Sequence, residues 1–324
     1  MATYYGTKGQ KIQVLTTDPS VTQEGQVWYN SNSRALKVFT KFSNSWGTGG
    51  NLGTGRQVLA GAGTQTAGLA FAGSIPPSTA ATEEYDGSTW AAGGSMGTAR
   101  TSLAGAGTQT AGLGFGGTTT SSATEEYDGS TWTAGGNLAT GRRYLGGCGI
   151  QTAGLAFGGT GAPPLPLSVK NLTEEYDGSA WAAGGNLLTR TNRIGGTGTQ
   201  TAGLALGGVR IPGSLVLNST QEYDGSTWTA GGNLGTAAYS LAGAGTQTAG
   251  LAFGGQPSVT GATEKYDGTS WTTTANMNVA RSSLAGAGTQ TLGLAFGGNP
   301  TGISASTEEY TAATITATGT ISQS

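Results

Sequence analysis

CGIQTAGLAFGG (148–159), TEEYDGSAW (173–181) and AGGNL (183–187) are one copy of a unit that decides the fold of this chain, because the unit recurs. GTQT, once GIQT, begins at Gly63, Gly107, Gly149, Gly198, Gly245 and Gly288, at intervals of 44, 42, 49, 47 and 43 residues. The copies pass the same stations: a glycine- and alanine-rich stretch, AGLAFGG, a variable segment, TEEYDGSTW, then GGNL and an arginine. The stations read as four short strands, LAGAGTQ, AGLAF, TEEY and TWTAGG. Asp-Gly between the third and fourth predicts a two-residue hairpin turn with positive φ at both positions. One four-stranded sheet cannot cover both of its faces, so the copies must stack around an axis. Six copies predict a six-bladed, all-β propeller of four-stranded antiparallel blades. The small residues Ala60, Gly61, Ala62 and Gly63 suit the crowded axis, and Leu69, Phe71, Tyr85 and Trp90 the widening space between blades.

Composition narrows the chemistry. Of 324 residues, 61 are glycine and only 10% are charged, and 15 Lys plus Arg against 17 Asp plus Glu give a net charge of −2. No basic stripe for phosphate neutralisation follows, so no nucleic-acid partner is expected. The absence of histidine excludes Ser-His-Asp and Cys-His catalysis, histidine metal sites and imidazole switching. The single cysteine, Cys148, reads as a small buried apolar side chain. MATYYGTKGQKIQVL has no apolar core behind a basic start, so no secretory signal is expected, and no apolar run is long enough for membrane insertion.

A diglycine after an apolar strand, then a tyrosine, then a tryptophan about five residues on, resembles the kelch repeat over residues 56 to about 315. The resemblance implies a six- or seven-bladed propeller. Two departures stand out: the Asp-Gly turn is shorter than is usual in that family, and Ala72-Gly73 replaces the first diglycine. The last copy lacks a tryptophan after TEEY, while Trp46 to Leu52 near the start looks like a fourth strand without its first three. The last blade is therefore expected to be closed by the N-terminal strand around 42–50, with the alternating TITATGTI (314–321) as the alternative.

The expected division is an N-terminal extension over 1–40 and a propeller over 41–324. Residues 1–25 read as polar and irregular; GQVWYN (25–30) and ALKVFT (35–40) flank SNSR and read as a hairpin. Its G-x-x-W-Y-N…L-K pattern resembles hairpins near the N-termini of tail-associated and fibre proteins of bacterial viruses. The near-identical units LAGAGTQTAGLAFGG and TEEYDGSTW resemble kelch-like virion proteins of marine, cyanobacteria-infecting phages. These resemblances imply a place on the phage particle, in tail or fibre, after synthesis in the host cytoplasm. Trp28 and Tyr29, expected to be exposed on a hairpin too small to stand alone, are the candidate anchors to other tail or capsid proteins.

The doubled carboxylates, such as Glu83-Glu84 and Glu125-Glu126, lie on strands and point to opposite faces, so they cannot converge on one substrate. No catalytic residue, cofactor or metal site is expected. Removing the loop between the second and third strands leaves 36 residues in each of the five intervals, so the length variation sits in that loop. The connection from a fourth strand to the next first strand should share its face, and varies in chemistry at constant length. Candidate binding residues on that face are Arg142, Arg143, Tyr144, Arg190, Asn192, Arg193 and Tyr239 from the connections, with Leu165, Leu167, Lys170, Asn171, Arg210, Ile211, Leu215 and Leu217 from the two longest loops, 160–172 and 209–219. The sector of those two loops, rather than the axial channel, is the expected contact surface. The expected function is a non-enzymatic tail fibre or adhesin that binds a host-surface glycan or protein. The alternatives are a structural capsid or tail decoration and, with no adaptor domain in the sequence, an intracellular kelch-type adaptor.

Overall fold

Strands one residue wide at the axis must carry almost no side chain, and the Gly/Ala station supplies such strands. In the computed structural model, which describes residues 12–17, 27–38, 43–161 and 168–313, blade one consists of Ala60–Gly63, Gly68–Phe71, Thr82–Tyr85 and Trp90–Gly93, paired antiparallel in that order. The innermost strands of the next five blades are Ala104–Gly107, Gly146–Ile150, Gly195–Gly198, Ala242–Gly245 and Ala285–Gly288, and the six neighbour one another in a closed ring. A Cβ on Gly105 would lie 2.7 Å from Phe71 Cζ and 2.8 Å from the Gly61 carbonyl, so only glycine lets neighbouring blades approach this closely.

The sixth blade takes Ala285–Gly288, Leu292–Phe296 and Thr307–Thr311 from the end of the chain and its outer strand, Ser45–Thr48, from the beginning. Trp46 faces Tyr310 in that register, as Trp132 faces Tyr127 in blade two. Residues 314–321, the alternative closing strand, lie outside the described residues.

Three repeated side chains, a glutamine, a tryptophan and a tyrosine, tie each blade to the one before. The glutamine of GTQT donates through Nε2 to two carbonyls of the preceding blade: Gln109 to Gly68 at 3.1 Å and Tyr85 at 2.7 Å, and Gln65, across the closure, to Gly293 and Tyr310. The tryptophan indole reaches back to a threonine, as from Trp132 to Thr82 at 2.9 Å and from Trp46 to Thr263 at 3.1 Å. Its ring lies between the tyrosine of its own blade and the phenylalanine of the preceding one, 5.0 Å from Tyr127 and 4.9 Å from Phe71 for Trp132. The tyrosine hydroxyl donates to the second glutamate of the preceding TEEY, Tyr127 to Glu84 at 2.5 Å. The doubled carboxylates therefore have two separate structural duties, one on each face of their strand.

The turn between the third and fourth strands differs from expectation. Tyr85 pairs with Trp90, so the loop is four residues, Asp86 to Thr89, and only Gly87 has positive φ, at 92°. Asp86 keeps negative φ because its carboxylate folds forward to accept the N–H groups of Ser88 (2.8 Å) and Thr89 (2.7 Å). Those bonds hold its pKa down at about 2. The same bonds recur at Asp128, Asp177, Asp224 and Asp267.

A second unit comprises residues 1–44 and 312–324, and the first 45–311. The expected hairpin pairs Val27–Asn30 with Ala35–Val38, its turn held by Asn30 Oδ1 accepting from Asn32 and Ser33. Two readings of this region are corrected. Gln13–Leu15, in the stretch read as irregular, forms a third strand parallel to Val27–Asn30. Trp28 is 1% exposed rather than displayed, because a large indole on a three-stranded sheet is stabilised by leaving water; Tyr29 is half-buried.

Candidate functional site

The loop between strands two and three and the connection into strand one pair with each other. In blade three, Arg142–Arg143 pairs with Thr160–Gly161, which pairs with Ser168–Val169; in blade four, Thr191–Asn192 pairs with Val209–Arg210, which pairs with Leu215–Val216. Bridges Gln57–Ser74, Tyr239–Gln256 and Ser282–Asn299 do the same in blades one, five and six. The loop of variable length and the connection of variable chemistry are thus joined on one face.

In four blades the first residue of the connection is structural. Arg56, Arg100, Arg142 and Arg281 are buried and form ion pairs with Glu83, Glu125, Glu174 and Glu308 at 2.7, 2.7, 2.9 and 3.1 Å. Arg142 also donates through Nη1 to the carbonyls of Gly158 (2.8 Å) and Leu172 (2.9 Å). Burial pulls these guanidinium pKa values down, against the pull of each carboxylate. Arg142, expected on the binding face, is 0% exposed, so that expectation is corrected: an arginine sealed from solvent against one carboxylate and two carbonyls cannot be reached by a ligand. Sequence reading missed the pairing, although the arginine and the first glutamate of TEEY keep company in four copies.

The third residue of each connection lies at the axis. Val58, Ser102, Tyr144, Arg193, Ser240 and Ser283 all have φ between 51° and 59°. Each donates its N–H to the carbonyl of its counterpart in the preceding blade at 2.8–2.9 Å, so six bonds close a ring. The left-handed backbone, unfavourable for residues with a Cβ, is held there by the ring.

On this ring the structure gathers four of the candidate residues from three blades. The Arg193 guanidinium lies over the Tyr144 ring at 5.0 Å and the Tyr239 ring at 5.4 Å, and Arg143 over Tyr144 at 5.4 Å. Arg193 is exposed and the other three are half-buried. The Tyr239 hydroxyl donates a hydrogen bond to Gln256 Oε1 at 3.2 Å. Asn192 donates to Thr160 at 2.9 Å, and its buried Oδ1 has no hydrogen-bond partner among the described residues. Asn171 is taken up by the Leu187 carbonyl. Arg190, Arg210 and Leu215 are exposed, while Lys170, Ile211 and Leu217 are half-buried. Leu165 and Leu167 lie outside the described residues. Among the described candidates, those whose side chains stack on one another do so at the axial ring.

Cys148 is buried, and burial pushes its thiol up to about 12. No family model matches the chain, and no curated protein matches it. Among solved structures the chain is similar to one described as "Structure of YjhT", with a TM-score of 0.66 and 12% identity, covering 83% of this chain and 99% of that one. Set beside the six four-stranded antiparallel sheets, this likeness shows the fold to be that of a six-bladed kelch-like β-propeller.

Proposed function

We propose that the protein is a non-enzymatic phage virion protein, a tail fibre or adhesin, whose variable propeller face binds a host-surface glycan or protein. The observation that carries the recognition reading is the Arg143–Tyr144–Arg193–Tyr239 ladder. Among the described residues it is a place on the variable face where non-repeated polar and aromatic side chains converge, while the repeated arginines are consumed by the scaffold. Sugar rings stack on aromatic faces, and guanidinium groups donate to hydroxyls and carboxylates in fixed directions. Arginines already held over tyrosines lose less freedom when a ligand arrives. The virion setting rests on the sequence resemblance, and Tyr29 remains the candidate contact to neighbouring tail or capsid proteins.

The test is binding of the purified full chain to intact cyanobacterial cells. Arg193→Ala and Tyr144→Ala should each weaken binding at least tenfold while leaving the unfolding midpoint within a few degrees. Absence of cell binding, with antibody against the chain labelling the particle, would instead make it a decoration protein.

A further inference from the structure

In blades one, two, three and six the first glutamate of the third strand meets an arginine, but in blade five that arginine is replaced by Ala238 and Glu264 stays. Glu264 is 7% exposed. Its Oε2 accepts the Gly235 N–H at 2.8 Å, as Glu125 Oε2 accepts that of Gly97. Its Oε1, which in those four blades meets the guanidinium, has no hydrogen-bond partner among the described residues. A cavity of about 90 Å³ occupies the place of the missing side chain, lined by Ala238, Gly254, Ala262 and Glu264, with Gln256 and Thr260 from the variable loop. One water needs only about 10–15 Å³, so the space exceeds a single water site.

The polar groups that hold a guanidinium elsewhere are in register here. Gly254 N–H donates to the Ala262 carbonyl at 3.0 Å, as Gly116 does to Ala123, and in blade two the carbonyls of Gly116 and Ala123 accept from Arg100 at 3.0 and 2.7 Å. Blade five thus keeps the carboxylate oxygen and both carbonyl positions. Lys265 is the next residue on the strand, in the place of the glutamates that serve the other face, and adjacent strand residues point oppositely. Blade four lost its arginine without leaving a charge: Thr191 faces a blade with Gln221, whose Oε1 accepts the Leu188 N–H at 2.8 Å.

We propose that the blade-five cavity is a binding site for a guanidinium group supplied from outside the chain. A planar fork of donors fits a carboxylate plus two carbonyls better than a compact ammonium does. The site stands independently of the virion reading, since it needs neither the ladder nor a host cell.

The test is calorimetric titration of the purified full chain with methylguanidinium chloride, and with methylammonium chloride at matched ionic strength. Saturable one-to-one binding of methylguanidinium is expected, with methylammonium at least tenfold weaker. Ala238→Arg, which fills the cavity from within, and Glu264→Gln, which keeps the shape without the charge, should each weaken binding at least tenfold. Ala238→Arg should also raise the unfolding midpoint, showing that it folds. Lack of saturable binding, equal binding of the two cations, or undiminished binding by Ala238→Arg overturns the proposal. A Gly-Arg-Gly peptide with blocked ends names the source: binding at least as tight as methylguanidinium assigns the site to a partner's arginine, and weaker binding assigns it to a free guanidinium compound.

Discussion

Blades four and five have both lost the buried arginine of their neighbours, yet in opposite ways. In blade four the carboxylate left with it, and Thr191 and Gln221 are both neutral and buried. In blade five only the cation left, and Glu264 faces a cavity. A buried ion pair can be replaced as a unit at little cost, whereas removing one partner leaves a charge without compensation. One repeat thus shows the neutral solution, and its neighbour holds an open charge that a ligand can satisfy.

The sharpest attack on this comparison is to make blade three resemble blade five. Arg142→Ala strands Glu174, and is expected to cost about 3–5 kcal/mol in denaturant unfolding; a cost below about 1 kcal/mol would end the comparison. Next, Gln221→Glu introduces into blade four the charge it lacks, and should cost about 1–3 kcal/mol. Adding Thr191→Arg should recover most of that loss, measured as coupling in a double-mutant cycle. The opposite sign is expected in blade five, where Ala238→Arg should add about 1 kcal/mol of stability.

The smallest expected effect concerns the other face of the same strands. Burial first, and then the carboxylate each hydroxyl serves, push Tyr85, Tyr127, Tyr176, Tyr223 and Tyr266 up to about 12. An unfolded tyrosine titrates near pH 10, so the fold favours the protonated phenol. This contribution is complete below about pH 10 and is lost as pH rises from there through about 12. Tyr310 differs because blade five offers Lys265 in place of a glutamate, and its hydroxyl pairs with Thr274 at 2.8 Å. Unfolding midpoints measured from pH 9 to 12 should therefore fall, and Tyr127→Phe should flatten that fall more than Tyr310→Phe does.

The repeat interval and its stations determine the number of blades, the strand order and the small-residue axis, because they follow from strand period, side-chain volume and the need to cover both faces of a sheet. The constant 36-residue remainder likewise locates the variable face. Three features needed the tertiary structure. The Asp86 turn depends on bonds from one carboxylate to two later N–H groups, which the dipeptide Asp-Gly does not reveal. Arg142 and Arg143 are neighbours of identical type in the sequence, yet one is sealed against Glu174 and the other lies over Tyr144. Which of them is sealed in the scaffold is set by strand direction and by groups 32 residues apart in the chain. The blade-five cavity is an absence, and an alanine reads as a missing guanidinium only once four other blades show what its position is built to hold. Residue types report what a side chain prefers; the partner that satisfies it, or fails to, is decided by which distant segments the closed ring brings within bonding distance.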